Sequence, residues 1–215
     1  VEARSKRQFT ELFGQYVPTE LVDKMAEDPE QYSMAGKKET LTVMFSDVVG
    51  FTSISERLSP QDLAAFINEY LTSMSQVIRE EGGTLDKYIG DAQMAFWNAP
   101  LDDKEHAKNA LKTAMKMLKD LDAFNAEIAK EGVPAFGMGL GINTATVVVG
   151  NMGSTQRFDY TCLGDGVNLA SRLEGQSKPY GVRIVLGQDT ARYVQRDYQL
   201  FELDKIAVKG KKEGV

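Results

Sequence analysis

Apolar residues come in short bursts along this chain, divided by polar and glycine-rich punctuation. Leu41 to Phe45 is a largely apolar run with β-branched members, which predicts a buried strand ending at Ser46-Asp47. From Leu63 the period changes: Leu63, Phe66, Ile67, Tyr70, Leu71, Met74, Val77 and Ile78 recur at helical spacing. Ser59-Pro60 places an N-cap and a first-turn proline ahead of that helix, and Gly82-Gly83 stops it. Residues 84–89 and 92–97 read as two strands around a tight turn at Gly90-Asp91. A second long helix is expected to be capped by Asp102, with Leu111, Met115, Leu118, Leu121 and Ile128 on its inner face and its end near Gly132-Val133-Pro134. Residues 137–150 read as two further strands, 165–176 as a helix and 182–186 as a strand, with a short helix and a hairpin to follow. This irregular alternation favours an α+β fold, a mostly antiparallel sheet covered by helices, over a doubly wound parallel sheet.

Residues 1–38 break that pattern: they are polar, with one mixed apolar patch from Phe9 to Met25 and a loop at Gly36-Lys37-Lys38. They are read as a linker or arm from an upstream sensor, and residues 39–215 as the main domain. The apolar share of 42% suits a full core. The net charge of -6 argues against a general nucleic-acid binder, so any phosphate site must be built locally from a few cations and backbone N–H groups. A single cysteine, Cys162, excludes an intrachain disulfide and fits a reducing compartment. No apolar run approaches the roughly 20 residues needed to cross a bilayer. A cytoplasmic location is expected, with any membrane link running through an upstream region, such as a receptor, outside this sequence. The one histidine, His106, lies in a charged stretch and is read as a solvated helix residue.

Three clusters carry chemistry. Asp47 ends a buried strand just before Val48-Val49-Gly50-Phe51-Thr52, and Asp91 sits at a hairpin tip. Taken alone, each reads more simply as a turn residue. If the strands are neighbours, the two carboxylates converge, and such a pair can hold hard cations that clamp a polyphosphate. Asn168 and Arg172 are four apart on a predicted helix and share one face, where a ribose and a phosphate could be met; a solvated helix face is the plainer alternative. Gly137, Gly139 and Gly141 imitate a dinucleotide fingerprint, but they alternate within a predicted strand and no helix follows.

In order along the chain, Phe45-Ser46-Asp47-Val48-Val49-Gly50-Phe51-Thr52, Asp86-Lys87-Tyr88-Ile89-Gly90-Asp91, Gly150-Asn151-Met152-Gly153-Ser154 and Gly164-Asp165-Gly166-Val167-Asn168-Leu169-Ala170-Ser171-Arg172-Leu173 resemble the class III adenylyl and guanylyl cyclases. The resemblance spans roughly residues 40–210 and implies a ferredoxin-like cyclase fold, a homodimer with composite sites, and conversion of ATP to 3′,5′-cyclic AMP and pyrophosphate. It implies that Asp47, Asp91 and the Val48 carbonyl bind two divalent cations, Mg2+ or Mn2+. It implies that Val49, Gly50, Phe51 and Thr52 hold the outer phosphates, with Lys209 as the triphosphate lysine. Asn168 would orient the ribose, Arg172 would stabilise charge on the α-phosphate, and Lys87 and Thr161 would read the purine.

Adenine presents an acceptor at N1 and a donor at N6, which Lys87 and the Thr161 hydroxyl complement; a hydroxyl that rotates to donate would loosen that choice. Threonine at this place resembles the bicarbonate-responsive subgroup. The alternatives are a guanylyl cyclase, against which Lys87 argues, and an inactive nucleotide-binding or dimerising domain. One departure stands out: Ala145 lies where the family usually has glycine in a strand turn, and either a slight distortion of the adjoining strand, bearing on catalytic rate and not on the fold, or no effect is expected there.

Overall fold

The computed structural model describes residues 36–154 and 157–207, Gly214 and a few positions before residue 36. Its spine is strand β1 (Lys37–Val49), much longer than the apolar run inside it. Backbone pairing needs no apolar side chains, so Lys37, Lys38, Glu39, Ser46 and Asp47 all join the ladder. After β1 come helices α1 (Phe51–Ser55) and α2 (Pro60–Glu80), strands β2 (Thr84–Ile89) and β3 (Ala92–Trp97), and helix α3 (His106–Ile128). Strand β4 (Gly137–Ser154), β5 (Arg157–Leu163), helix α4 (Asp165–Tyr180), β6 (Ile184–Leu186) and helix α5 (Gln188–Val194) complete the order.

The sheet runs β2-β3-β1-β4-β5, and β6 pairs parallel to β4. All the other pairings are antiparallel. The β1-α2-β2-β3-α3-β4 path in this strand order is the ferredoxin-like split βαβ arrangement expected above. β5 and β6 share one edge of β4 by using different stretches of it: residues 148–154 and 140–142.

Alternation along the strands sends side chains to two cores. Met44, Ala95, Trp97, Met138, Leu140 and Ile142 face α2 and α3, where Tyr70, Met74, Ile78, Met117 and Leu121 are buried. Leu41, Val43, Met94, Phe96, Val147 and Val149 form the opposite core with Tyr160, Cys162, Val167 and Ala170. Each large side chain removed from water in this way contributes about 1.5–3 kcal/mol. α2 starts as its sequence foretells, with the Ser59 hydroxyl accepting from the Asp62 N–H at 3.1 Å and Pro60 at the first turn.

Several expectations need correction. Residues 137–150 lie in one strand, β4, and not in two. Gly139 and Gly141 there occupy the face on which α4 lies. A Cβ at Gly141 would come within 2.2 Å of the Glu174 nitrogen, and one at Gly139 within 2.2 Å of Ser177 Oγ. Residues 143–146 form no turn: Ala145 pairs with Leu41 inside an unbroken ladder, and its methyl fits because residue 166, where a Cβ would fall 2.2 Å away, is glycine. α3 begins at His106 with no side-chain cap, so Asp102 does not cap it; Asp103 instead accepts from the Glu105 N–H at 2.9 Å and from Asn109 at 2.9 Å. Met115 is 48% exposed and belongs to the outer face of that helix. The expected closing hairpin is not found at residues 201–207, which have no regular structure, and residues 208–213 lie outside the described set.

His106 needs correction too, for it is buried and not solvated. Its Nδ1 lies 2.7 Å from Thr42 Oγ1, which is 2.8 Å from Thr144 Oγ1, itself 2.9 Å from Thr190 Oγ1. This chain of polar groups ties α3, β1, β4 and α5 together below the surface. Charge does not signal burial, so the flanking Asp103 and Glu105 misled the sequence reading. Burial lowers the His106 pKa, partly opposed by the Asp103 and Glu105 charges. The folded ring therefore stays neutral where the unfolded ring, near pH 6.5, takes up a proton, and stability falls as pH drops through that range. His106→Ala is expected to lower stability at pH 7.5 by about 1–3 kcal/mol and to lose less stability than the parent between pH 7.5 and 5.5. Thermal or urea denaturation of both proteins at the two pH values measures this; equal pH slopes would contradict it.

Candidate active site

Asp47 stands near the end of β1, opposite Gly139 on β4, and Asp91 in the turn between β2 and β3. The β1–β3 ladder, which pairs Ser46 with Gln93, brings these two ends together. Burial, and then the negative charge of Asp91, raise the Asp47 pKa, while the Val48 N–H, 3.0 Å from Oδ1, pulls it down. Two further groups missed by sequence reasoning attend this pair. Tyr70 of α2 is buried, its hydroxyl has no hydrogen-bond partner, and burial together with the Asp91 and Asp47 charges raises its pKa. Glu174 of α4 is pushed up to about 7 by burial and by Asp47. In sequence Tyr70 reads as one more apolar position on a helix and nothing marks Glu174; only the packing of α2 and α4 brings them to the acids.

Two mutually opposed carboxylates beside an unsatisfied hydroxyl form an oxygen-only set suited to a hard divalent cation. Among the described residues, no group of three or more His, Cys, Asp or Glu side chains is placed to hold a metal ion, so the pair is a partial shell. Val48 and Val49 end β1, Gly50 turns the chain with φ 88°, and Phe51 and Thr52 open α1. The left-handed conformation at Gly50 favours glycine. The first N–H groups of α1 lack partners within the helix, as at every helix start.

A second constellation forms where β5 crosses back over the sheet. β5 pairs only with residues 148–154 of β4, at the far end from β6. Its Tyr160 ring packs 6.0 Å from that of Phe96 on β3, and the buried Thr161 donates its hydroxyl to Asp86 on β2. Lys87 Nζ lies 3.5 Å from the other Asp86 oxygen. Lys87 and Thr161, separated by over seventy positions, thus gather around one carboxylate, which the sequence reading quoted but gave no role. Burial raises the Asp86 pKa, opposed by Thr161, Lys87 and the Cys162 N–H.

On α4, Val167, Ala170, Leu173 and Ser177 form the buried face. Asn168 points outward and is exposed, while Arg172 is partly buried with Nη1 lacking a hydrogen-bond partner. The Asn143 amide donates to the Gly166 carbonyl at 2.9 Å and pins the start of this helix to β4. Among the described residues, no hydrogen bond or ion pair joins the Asp47/Asp91 pair to Lys87, Thr161, Asn168 or Arg172. Lys209 lies outside the described residues. No described helix is long and apolar enough to cross a membrane.

Comparison with known proteins agrees with this architecture. Adenylate cyclase 1 of Rhizobium meliloti (strain 1021) is 41% identical over 173 residues, covering 80% of this chain and 26% of the relative. An adenylate cyclase of Anabaena cylindrica is 38% identical over 212 residues, covering 94% of this chain and 41% of the relative. The chain therefore spans about a quarter to two-fifths of the length of these relatives. The crystal structure of the adenylyl cyclase CyaB from P. aeruginosa superposes with a TM-score of 0.79 at 34% identity, covering 84% of this chain and 92% of that one. Residues 34–215 match the adenylate and guanylate cyclase catalytic domain, and the chain belongs to that family.

Proposed function

We propose that this domain converts ATP to 3′,5′-cyclic AMP and pyrophosphate, at two equivalent sites each shared between the subunits of a homodimer. The observation that carries the reading is the separation of two complementary half-sites on one chain. Asp47 and Asp91 lie together at one place, and Lys87 and Thr161 gather at another. The likeness to proteins named adenylate cyclases supports the choice of reaction.

A second copy would unite the halves. Val49, Tyr88, Ile89, Val148 and Leu163 expose between 38% and 57% of their surface and flank the residues concerned. Covering them with a partner would remove apolar area from water, which is the main driving force for association. In a two-fold dimer the acids of one subunit meet the base-reading and helix residues of the other, and each interface holds two such sites.

Asp47 and Asp91, with the Val48 carbonyl, would hold two divalent cations, Mg2+ or Mn2+. When bound, these cations lower the pKa of the attacking ribose 3′-hydroxyl and offset charge on the phosphate oxygens. Backbone N–H groups from Val49 to Thr52 would receive the outer phosphates, aided by Lys209. Asn168 would hold the ribose so that its 3′-oxygen lies in line with the α-phosphorus. Arg172 would place its unpartnered Nη1 against the α-phosphate, where negative charge builds as the P–O bond to pyrophosphate breaks. Lys87 would donate to adenine N1, and the Thr161 oxygen would accept from the N6 amino group. Guanine reverses that pattern, so the pairing of Lys87 with Thr161 favours adenylate over guanylate chemistry. An inactive domain is disfavoured by the survival of every group just named.

The direct test is Asp47→Ala. Loss of the carboxylate should cut cyclic AMP formation from ATP with Mg2+ by about 10³-fold or more. Near-normal turnover by the folded variant would overturn the assignment. Bicarbonate stimulation forms part of the proposal on the strength of Thr161 alone: the rate should rise across a bicarbonate titration at fixed pH and ionic strength, and a flat response would remove it.

Shared sites make a sharper prediction. Asp47→Ala and Arg172→Ala homodimers should both be almost inactive, because both of their sites carry a lesion. In a mixed dimer one site carries both lesions and the other none. With random pairing roughly half the dimers are mixed, so about a quarter of the parental activity should return. Co-expression with two affinity tags and assay of the mixture for cyclic AMP will measure it, and the isolated doubly tagged dimer, with one intact site of two, should show about half the parental activity. Doubly tagged dimers as inactive as the single variants would mean that each subunit is catalytically self-contained.

A further inference from the structure

We propose that Asp86 sets the hydrogen-bond polarity of the base-reading site, locking the Thr161 hydroxyl as an acceptor towards the nucleotide and so making Asp86 a positioning residue for purine choice. The inference rests on the reading that Lys87 and Thr161 meet the purine.

The geometry begins with a bulge. β2 pairs Leu85 with Ala95 and then Lys87 with Met94, so the register slips by one residue and Asp86 has no partner opposite. A regular strand would alternate faces through this stretch. Here Thr84, Leu85 and Asp86 are all buried in succession, while Lys87, Tyr88 and Ile89 are exposed. Bulges re-aim side chains in this way. The Asp86 side chain is entirely buried, whereas that of Lys87 is 42% exposed, with its ammonium group 3.5 Å from Asp86 Oδ1. The same carboxylate accepts the hydroxyl proton of Thr161 and faces the Cys162 N–H.

A threonine hydroxyl has one hydrogen and two lone pairs. With the hydrogen committed to Asp86, what remains for a ligand is a lone pair. A lone pair accepts from the amino group on C6 of adenine and opposes the carbonyl on C6 of guanine. A free hydroxyl would rotate and serve either base. Asp86 therefore removes the ambiguity that threonine carries at this position, and its ion pair with Lys87 holds the second base-reading group on the same anchor. A carboxylate that merely stapled β2 to β5 would affect all nucleotides alike.

The experiment measures kcat/KM for ATP and for GTP, in parallel, on the parent chain and on Asp86→Asn, Asp86→Ala, Thr161→Val and the Asp86→Asn/Thr161→Val double variant. Asparagine is nearly the size of aspartate and its amide can donate to Thr161, turning the hydroxyl outward. The ATP-to-GTP ratio should fall about tenfold in Asp86→Asn and in Asp86→Ala. In the Thr161→Val background, where no hydroxyl remains to be oriented, Asp86→Asn should change the ratio by less than about twofold. If removing the buried carboxylate as Asp86→Ala prevents folding, the near-isosteric Asp86→Asn decides. A folded Asp86→Asn protein that loses ATP and GTP turnover by the same factor overturns the inference, as does a ratio change that persists undiminished without the Thr161 hydroxyl. Failure of the parent chain to use ATP would instead strike the function proposed above.

Discussion

The antiparallel ladder between β1 and β4 is the constraint on which the rest of the structure depends. It runs without a break from Lys37 opposite Val149 to Val49 opposite Gly137. That register sets Asp47 against Gly139, and the missing side chain at Gly139 leaves room for Ser177 and Glu174. A one-residue slip would exchange the two faces of β1, sending Met44 into the wrong core and turning Asp47 away from Glu174 on α4. The position of the acid pair is thus a consequence of backbone pairing along the whole strand, and not of local loop geometry.

Close approach of α4 to β4 is the second consequence. Gly141 admits the backbone of α4 at Ala170 and Glu174, and Gly166 leaves space for the Ala145 methyl. With Asn143 holding the Gly166 carbonyl, the helix is fixed at its start and along its buried face. Asn168 and Arg172 are thereby carried on a rigid element, so their direction is set by packing. On the opposite sheet face, the buried Thr42, Thr144, Thr190 and His106 groups satisfy one another and lock α3 and α5 to the same two strands. Such a fully paired polar chain specifies one arrangement of the layers, because displaced partners would leave buried groups unsatisfied.

Electrostatics around Asp47 and around Asp86 differ in kind. Around Asp47 the neighbours are acidic or polar, and burial adds to repulsion, so the region favours a cation. Around Asp86 burial is countered by a hydroxyl, an ammonium group and an N–H, so the carboxylate anchors donors from both β2 and β5. One chain therefore carries carboxylates that lack a cation at one place and a carboxylate already met by donors at another.

The sequence by itself determined the elements whose signals are local. The helical period and Ser59-Pro60 defined α2, and the Gly90-Asp91 turn defined β2 and β3 at their observed bounds. The order of the motifs identified the family and pointed to Asp47, Asp91, Lys87, Thr161, Asn168 and Arg172 as the residues to place. What the sequence did not disclose depends on contacts between distant segments. In sequence β4 reads as two strands, with a turn expected at Asn143-Thr144-Ala145-Thr146, whereas pairing with β1 keeps its backbone extended throughout. His106 looked solvated because its acidic neighbours point outward while the ring turns inward to Thr42. Asp86, Tyr70 and Glu174 gained their surroundings only when a bulge, a helix face and a glycine-lined groove brought them to partners far away in the chain. Periodicity and turn chemistry are properties of a few consecutive residues, whereas register, burial and the aim of a bulged side chain arise only when segments meet, and the tertiary structure alone decides them.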